Sequence, residues 1–399
     1  MKPVYIVDSI RTPRARANDK GGLNKLNPYE LLDVLYKDIN QKNFLDFNSI
    51  NDVILGCVTQ HGEQAGNIAK SSALFSGYPD SISGLTVNRF CSSSLDAINL
   101  GHLKIQSQQA DNIIAGGVEM MSRVPMLSDK AAIWHDLEIA TQAKIFYMGS
   151  GADLIASLFN ISRNDADMQA LKSQQRAANA QKNNYFKSII PVINERKAIN
   201  CHQDECIRTD TSIKTLSLLN PSFQQLGEQG VDKAQLYLFP DLKEISHIHT
   251  AGNSPAMADA ASLTLLSNKK IQENGKRARV KIISVATVND DPLLVLSGCI
   301  LATKRILDQN NLQVKDIDLF EIHEAFASTL IHCQRELKID DEKLNVNGGC
   351  IALGHPMGAT GSIMMSTLID ELERRDATLG IVATSGAAGA GTAILIERI

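Results

Sequence analysis

The chain lacks the features that mark several classes of protein. Its 399 residues contain no long run of Lys or Arg and carry a formal net charge of only -4, so no positive track for nucleic acid or an anionic membrane is predicted. No segment approaches the roughly 20 apolar residues of a spanning helix, and the first residues lack the apolar stretch of a signal peptide. We therefore expect a cytoplasmic protein with no membrane span and no nucleic-acid partner.

Cysteines at disulfide or metal-ligand spacing are also missing. The seven cysteines include no Cys-x-x-Cys pair, which argues against a disulfide framework. Cys201 and Cys206 have His202 between them, but two further ligands at the spacing of a zinc site are absent. The sequence predicts no metal site.

What is present is an α/β pattern in a chain long enough for two or more packed units. Short apolar runs alternate with stretches of helical period, such as Tyr29 to Ile39, and this rhythm is typical of strands alternating with helices. The apolar runs are residues 4–7, 53–56, 113–117, 282–286, 318–321 and 380–383.

Two segments of the chain resemble each other. The turn around Cys91 opens a predicted helix over 93–106, followed by a strand over 112–115. A glycine-rich turn likewise opens a predicted helix within 354–373, followed by a strand over 381–383. Two copies of one strand-turn-helix-strand unit would bring both turns to a central junction.

Cys91 lies in residues 87–96, VNRFCSSSLD, where small hydroxyl residues precede the first of these helices. At a helix N-terminus, unpaired N–H groups and the positive end of the dipole favour a thiolate, which is the nucleophilic form. A buried, inert cysteine is the alternative.

Two further segments each carry a histidine. Residues 347–361, NGGCIALGHPMGATG, are rich in glycine, which allows close backbone approach to a ligand, and place His355 where it could act as a base. Residues 321–327, EIHEAFA, follow an apolar strand and begin a helix, where α/β folds present ligand-binding side chains. This segment lacks the second His of a metalloprotease motif.

Taken together, these segments resemble the thiolase family, and the likeness runs nearly from end to end. Residues 7–13 (VDSIRTP), 116–122 (GGVEMMS) and 251–254 (AGNS) are each where the family has them, and the polar segment before residue 251 resembles that of degradative members. The resemblance implies a five-layered αβαβα fold from two similar halves with an inserted loop domain that binds coenzyme A. The predicted limits are 1–122 with 251–275 for the N-terminal half, 123–250 for the loop domain and 276–399 for the C-terminal half.

The resemblance also implies residue roles. Cys91 would take the acyl group, His355 would deprotonate Cys91, and His323 would hold a water that polarises a thioester oxygen. The backbone N–H groups of Cys91 and Ala387 would form a second oxyanion hole. No tightly bound cofactor is implied; coenzyme A and acyl-CoA are the substrates, and a homodimer or homotetramer is expected. The predicted contacts to coenzyme A and the acyl chain are Ser254, Met148 and Phe326.

The chain departs from the family at the second catalytic position. A cysteine that shuttles a proton is usual there, and this chain has Ser385; Cys299 likewise replaces a usual proline. A hydroxyl is far less acidic than a thiol, whose pKa is about 8.5, so carbon–carbon chemistry should be slow unless another acid substitutes. Cys350, five residues before His355, is one candidate; a small packing residue is the other interpretation.

Two functions are therefore predicted. The first is a thiolase that moves an acyl group between CoA thioesters through an acyl-enzyme on Cys91, either cleaving a 3-oxoacyl-CoA or running the reverse condensation. The second is a thiolase-like protein impaired by Ser385, which acts as an acyl-CoA hydrolase, a partial acyltransferase or a CoA-binding subunit.

Overall fold

The computed structural model describes residues 2–42, 44–271 and 275–399, which form a mixed α/β fold. The strands are β1 (Val4–Arg11), β2 (Ala15–Arg16), β3 (Asp52–Gly56), β4 (Ser83–Val87), β5 (Asn112–Met120), β6 (Val192–Asn194), β7 (Ile199–Cys201), β8 (Ala258–Ser267), β9 (Val280–Asn289), β10 (Leu319–Ile322), β11 (Leu379–Ser385) and β12 (Ala390–Arg398). The helices are α1 (Pro28–Lys42), α2 (Ile68–Phe75), α3 (Ser93–Gln106), α4 (Leu137–Ala143), α5 (Met148–Leu158), α6 (Arg163–Lys182), α7 (Ile213–Ser217), α8 (Gln224–Leu226), α9 (Asp232–Leu238), α10 (Gly298–Gln309), α11 (Ala327–Leu337), α12 (Cys350–Leu353) and α13 (Thr360–Arg374).

The main sheet contains the same strand arrangement twice. Its order is β10-β11-β12-β9-β1-β8-β5-β3-β4, with β2 beside β8. In the N-terminal half, β3 and β5 are parallel, and β5–β8 and β8–β1 are antiparallel. In the C-terminal half, β10 and β11 are parallel, and β11–β12 and β12–β9 are antiparallel. The two halves join where β1 pairs with β9, with Tyr5 opposite Lys281.

Three apolar clusters divide these halves into five layers. One packs α1 and α2 on the outer face of the N-terminal strands, the second packs α3 and α13 between the two sets of strands, and the third packs α10 and α11 on the outer face of the C-terminal strands. Strands covered on both faces read as continuous apolar runs, and β8 is buried at every residue. The predicted five-layered fold from two similar halves is confirmed.

The segment between β5 and β8 holds α4 to α9 and the paired strands β6 and β7. Asp153 of α5 is fully buried and ties the end of this segment to the helix, because its carboxylate accepts the backbone N–H groups of Ile248 and His249 at 3.1 Å. The rings of His247 and His249 also contact the Asp153 carboxylate, at 3.0 and 2.6 Å. The exact domain limits stay a prediction. Over the described ranges, no helix combines the length and the apolar character that crossing a bilayer requires.

Candidate active site

Cys91 lies in a tight turn between β4 and α3. The residue before it, Phe90, has a φ of 50°, a left-handed conformation that costs energy outside glycine. The Ser93 hydroxyl supports the turn, since it accepts the Arg89 N–H at 2.9 Å and donates to the Phe90 carbonyl at 2.5 Å. Because Ser92 is the N-cap of α3, Cys91 stands immediately before the helix.

Behind this turn the two halves approach each other closely. A Cβ atom on Gly117 would lie 2.5 Å from the carbonyl oxygen of Gly358, which explains why both motifs are rich in glycine. The buried carboxylate of Glu119 bridges the same junction, because it accepts the N–H groups of Val58 and Gly358, both at 2.9 Å. The structure thereby holds the two catalytic turns in fixed relation.

His355 connects the second turn to the nucleophile. Its Nε2 lies 3.2 Å from Cys91 Sγ, and its Nδ1 lies 2.8 Å from the hydroxyl oxygen of Thr360. With the ring proton on Nδ1 and donated to Thr360, Nε2 is free to accept the proton of the thiol. The geometry suits His355 as a base for Cys91.

Burial keeps both partners of this pair neutral at rest. Burial, with smaller contributions from Cys350 and Glu119, raises the pKa of the Cys91 thiol to about 12. Burial, with smaller contributions from His323 and Arg14, holds the pKa of His355 well below its usual value. The sequence interpretation of a thiolate stabilised by the helix N-terminus is therefore corrected: burial raises the pKa and favours the neutral thiol. Proton transfer to His355 has to accompany attack on the substrate.

His323 stands beside His355, with ring centroids 4.5 Å apart. Its Nδ1 donates to the backbone carbonyl oxygen of Ser385 at 3.0 Å, which leaves the lone pair on Nε2. Nε2 is buried and has no hydrogen-bond partner among the residues that the structure describes. Burial lowers the pKa of His323 to about 4, so the ring is neutral. A neutral ring with a free lone pair can accept a hydrogen bond from a water, as its predicted role requires.

Ser385 ends β11 and is 1% exposed. Its hydroxyl oxygen accepts the backbone N–H of Cys299 at 3.0 Å, in the first turn of α10. A proline at the position of Cys299 would have no N–H to donate, so the two departures from the family pattern accompany each other. The adjacent Thr384 hydroxyl donates to Ser92 Oγ at 2.9 Å. The end of β11 therefore reaches the nucleophile turn, while α10 engages the Ser385 hydroxyl.

Cys350 lies close to both His323 and His355. Its Sγ and one ring nitrogen from each of His323 and His355 all lie within 4.8 Å of one another. The side chain is 2% exposed, and burial raises the pKa of its thiol to about 12. Since His355 also contacts Cys91, the two thiols and the two imidazole rings form one connected cluster of groups that can carry a proton.

The remaining predicted site residues are Met148, Phe326, Ser254 and Ala387. Met148 packs with Phe326 in one apolar cluster formed by the loop segment and the C-terminal half. The Ser254 hydroxyl is buried and has no protein partner within the described ranges, so it can bond a ligand. Ala387 begins a short 3-10 turn, Ala387–Gly389, and the first N–H of such a turn has no partner within it. The predicted roles of these residues toward coenzyme A, the acyl chain and the oxyanion stay predictions.

Three residues that support the catalytic side chains were not predicted from the sequence. Thr360 and Glu119 lie inside motifs that were recognised, and Arg14 directly follows another. A single acidic residue in the apolar run that contains Glu119 was an available signal, because a buried carboxylate needs several donors. Nothing in the sequence pointed to the contact between Thr360 and the His355 ring.

Two family models cover most of the chain: the thiolase N-terminal domain matches residues 4–231 and the thiolase C-terminal domain matches residues 276–398. The chain belongs to the thiolase family. The family predicted from the motifs, and with it the prediction of an acyltransferase, is therefore confirmed.

Individual thiolases match over their whole length. The chain is 38% identical to the 3-ketoacyl-CoA thiolase of Aliivibrio fischeri and 34% identical to the beta-ketoadipyl-CoA thiolase of Pseudomonas knackmussii, each match covering 100% of both chains. The crystal structure of the Bacillus anthracis acetyl-CoA acetyltransferase superposes with a TM-score of 0.84 at 28% identity, over 100% of this chain and 99% of that one.

Proposed function

We propose that this thiolase transfers acyl groups between CoA thioesters, cleaving a 3-oxoacyl-CoA with coenzyme A into a shortened acyl-CoA and acetyl-CoA, or running the reverse condensation. The observation that carries the proposal is the 3.2 Å distance between Cys91 Sγ and His355 Nε2. His355 takes the thiol proton as the sulfur attacks the 3-oxo carbon, and the acyl group remains on Cys91 until coenzyme A removes it.

Charge that develops on oxygen during these steps needs donors. A water held by His323 Nε2 can donate to the thioester oxygen, which carries the charge of the C2 carbanion, and the backbone N–H groups of Cys91 and Ala387 can donate to the oxygen of the carbonyl that Cys91 attacks. The free hydroxyl of Ser254 suits the polar chain of coenzyme A, and the cluster of Met148 and Phe326 suits an apolar acyl group.

Thiolysis of acetoacetyl-CoA tests this function. With coenzyme A present, the protein should consume the absorbance of the 3-oxoacyl thioester, and Cys91→Ala should not. Cys333→Ala is the matched control, because it removes another fully buried thiol, from α11, and should keep the wild-type rate. No loss of absorbance at high enzyme concentration would contradict the proposal.

An impaired thiolase is the second candidate, and the engagement of the Ser385 hydroxyl by Cys299 favours it. Such a protein would still acylate Cys91 and would act as a hydrolase, a partial acyltransferase or a CoA-binding subunit. Mass spectrometry after exposure to acyl-CoA separates the two. A stable adduct on Cys91 without turnover supports the impaired protein, and rapid turnover excludes it.

We also propose a homodimer or homotetramer in the cytoplasm. Strand β4 lies at one end of the sheet, so its outer edge can pair with another chain, and Leu85 on β4 and the nearby Phe75 are 44% and 57% exposed. All seven cysteines are free, which suits a reducing compartment. Light scattering after size exclusion gives the assembly; a monomer at micromolar concentration would contradict it.

A further inference from the structure

We propose that Cys350 exchanges the proton with the α-carbon of the substrate, in place of Ser385; this inference rests on the proposed thiolase function. When the bond between C2 and C3 of a 3-oxoacyl-CoA breaks, the electron pair remains on C2 of the departing acetyl-CoA. That carbanion has to be protonated beside Cys91, and in condensation the same proton has to be removed.

The position of Cys350 meets this need. Its sulfur, together with a ring nitrogen of His323 and one of His355, forms a group whose members lie within 4.8 Å of one another. The sulfur is also near enough to Cys91 for a negative charge on Cys350 to raise the pKa of the Cys91 thiol. At 2% exposure it is shielded from bulk water, so a proton it carries passes to the substrate or to His355.

Arg14 supports the anionic form of Cys350. The guanidinium is buried and donates through Nη1 to the Gly354 carbonyl at 3.0 Å, while its Nε has no hydrogen-bond partner within the described part of the chain. Burial raises the pKa of the Cys350 thiol, and the positive charge of Arg14 opposes that rise. Cys350 is thus a thiol at rest with a cation beside it for the moment when it loses its proton. Arg14 acts through Cys350 and is a positioning residue.

Ser385 is less suited to the same task. Its hydroxyl is far less acidic than a thiol, and the oxygen already accepts the Cys299 N–H at 3.0 Å. The contact of Ser385 with the histidine pair that the structure records runs through its backbone carbonyl, which orients His323.

The cleavage step balances with Cys350 in this role. The proton of the Cys91 thiol passes to His355 Nε2, the Cys91–C3 bond forms and the C2–C3 bond breaks. The electron pair on C2 takes the proton of the Cys350 thiol, which gives acetyl-CoA and a Cys350 thiolate. That thiolate then takes the proton from His355, so the net transfer is from Cys91 to C2. The subsequent acyl transfer to coenzyme A requires no carbon acid and does not need Cys350.

Two reactions of the full-length enzyme separate these roles. Exchange of solvent deuterium into C2 of acetyl-CoA requires the α-carbon proton shuttle, whereas exchange of labelled coenzyme A into acetyl-CoA requires only Cys91 and His355. Cys350→Ala should lower deuterium exchange and acetoacetyl-CoA cleavage by about 100-fold or more, and should change coenzyme A exchange less than about threefold. Ser385→Ala should lose less than about tenfold in deuterium exchange, and Cys333→Ala, the matched buried thiol, should lose nothing.

The inference is overturned if Cys350→Ala keeps deuterium exchange, or if it loses both reactions together, since a general structural effect would do the latter. Loss in Ser385→Ala with retention in Cys350→Ala would return the shuttle to Ser385. Wild-type protein that exchanges coenzyme A but neither cleaves acetoacetyl-CoA nor exchanges deuterium would refute the proposed function itself. Arg14→Gln should move the pH dependence of deuterium exchange upward, an effect that a merely structural arginine would not produce.

Discussion

The two halves of the molecule place the same kind of turn at the same point and use it differently. In the N-terminal half the turn before α3 carries one thiol, Cys91, and is held by hydroxyl groups such as that of Ser93. In the C-terminal half the turn before α13 carries His355, and the short α12 before it adds Cys350. Neither half contains a nucleophile with its base, so the chemistry exists only at the junction of the two.

This contrast shows what the paired arrangement contributes. Helices α3 and α13 start side by side between the two sets of strands and bring two short turns together without a long loop. The glycines allow closer contact than other residues permit. The turns can then change residue by residue while the frame stays constant. The departure at Ser385, at the end of β11, illustrates such change on the C-terminal side.

Removing the nucleophile that the N-terminal half supplies should have the largest effect on activity. Cys91→Ala should lower thiolysis by a factor on the order of 10⁴ or more, because no covalent intermediate can form. Steady-state rates on acetoacetyl-CoA check this, and mass spectrometry should find no acyl adduct. An acyl adduct of undiminished yield in the variant would show that another residue is the nucleophile. It would contradict the inference that the N-terminal half supplies the nucleophile and the C-terminal half its base.

A substitution that separates the Cys91 turn from the His355 turn should have the next largest effect. Gly117→Ala places a Cβ 2.5 Å from the Gly358 carbonyl oxygen, and overpacking of this kind costs about 1–3 kcal/mol. Urea denaturation should report the loss in unfolding free energy, together with a fall in kcat as the His355 turn shifts. Gly62→Ala is the control: apart from its chain neighbours, no described residue has an atom within 4 Å of the added Cβ, although φ is +52°, so it should cost stability without changing kcat. Equal kcat in both variants would show that the close approach does not set catalytic geometry.

Loosening the C-terminal turn should have a smaller effect. Thr360→Val removes the acceptor for His355 Nδ1, so the ring is no longer restricted to the tautomer that leaves Nε2 free. We expect kcat to fall about tenfold, equal to about 1.4 kcal/mol, with KM little changed. Thr360→Ser keeps the hydroxyl and should restore most of the rate. If kcat of Thr360→Ser is no higher than that of Thr360→Val, the packing of the Thr360 methyl group matters and its hydrogen bond does not.

The smallest expected change is in the pH profile of the first half-reaction. Burial holds the pKa of His355 well below 6.5 and raises that of Cys91 to about 12, so neither group changes charge between about pH 6.5 and 9. The single-turnover rate of Cys91 acylation by acetoacetyl-CoA, measured without coenzyme A, should vary less than about twofold over this range. A base with an ordinary histidine pKa near 6.5 would instead lose activity as the pH falls through that value. A fall centred near pH 6.5 would show that the junction is more open to water than the buried thiol and imidazole imply.

The sequence predicted the frame well because the frame depends on patterns. The helix expected over 93–106 coincides with α3, and the repeated strand-turn-helix unit follows from apolar periodicity and glycine. The convergence of Cys91 and His355 could be expected for the same reason, since both stand before helices at one junction.

Details of the site depended on side-chain directions and desolvation, which periodicity does not encode. The helix N-terminus suggested a thiolate at Cys91, whereas the depth of burial favours the neutral thiol. Cys350 was recognised as a candidate acid, yet its position against both histidine rings follows from the path of α12 through the interior. The contacts of Thr360 and Arg14 could not be found without the folded chain.

The pairing of β1 with β9 also has a consequence for biosynthesis. Strand β1 leaves the ribosome before its neighbours in the sheet, β8 and β9, which begin only at residues 258 and 280. Its edges stay unpaired while well over half of the chain is translated, and such non-local pairing makes folding slow and exposes nascent chains to aggregation. Yield in cells should therefore respond to chaperone supply and to translation speed before residue 280.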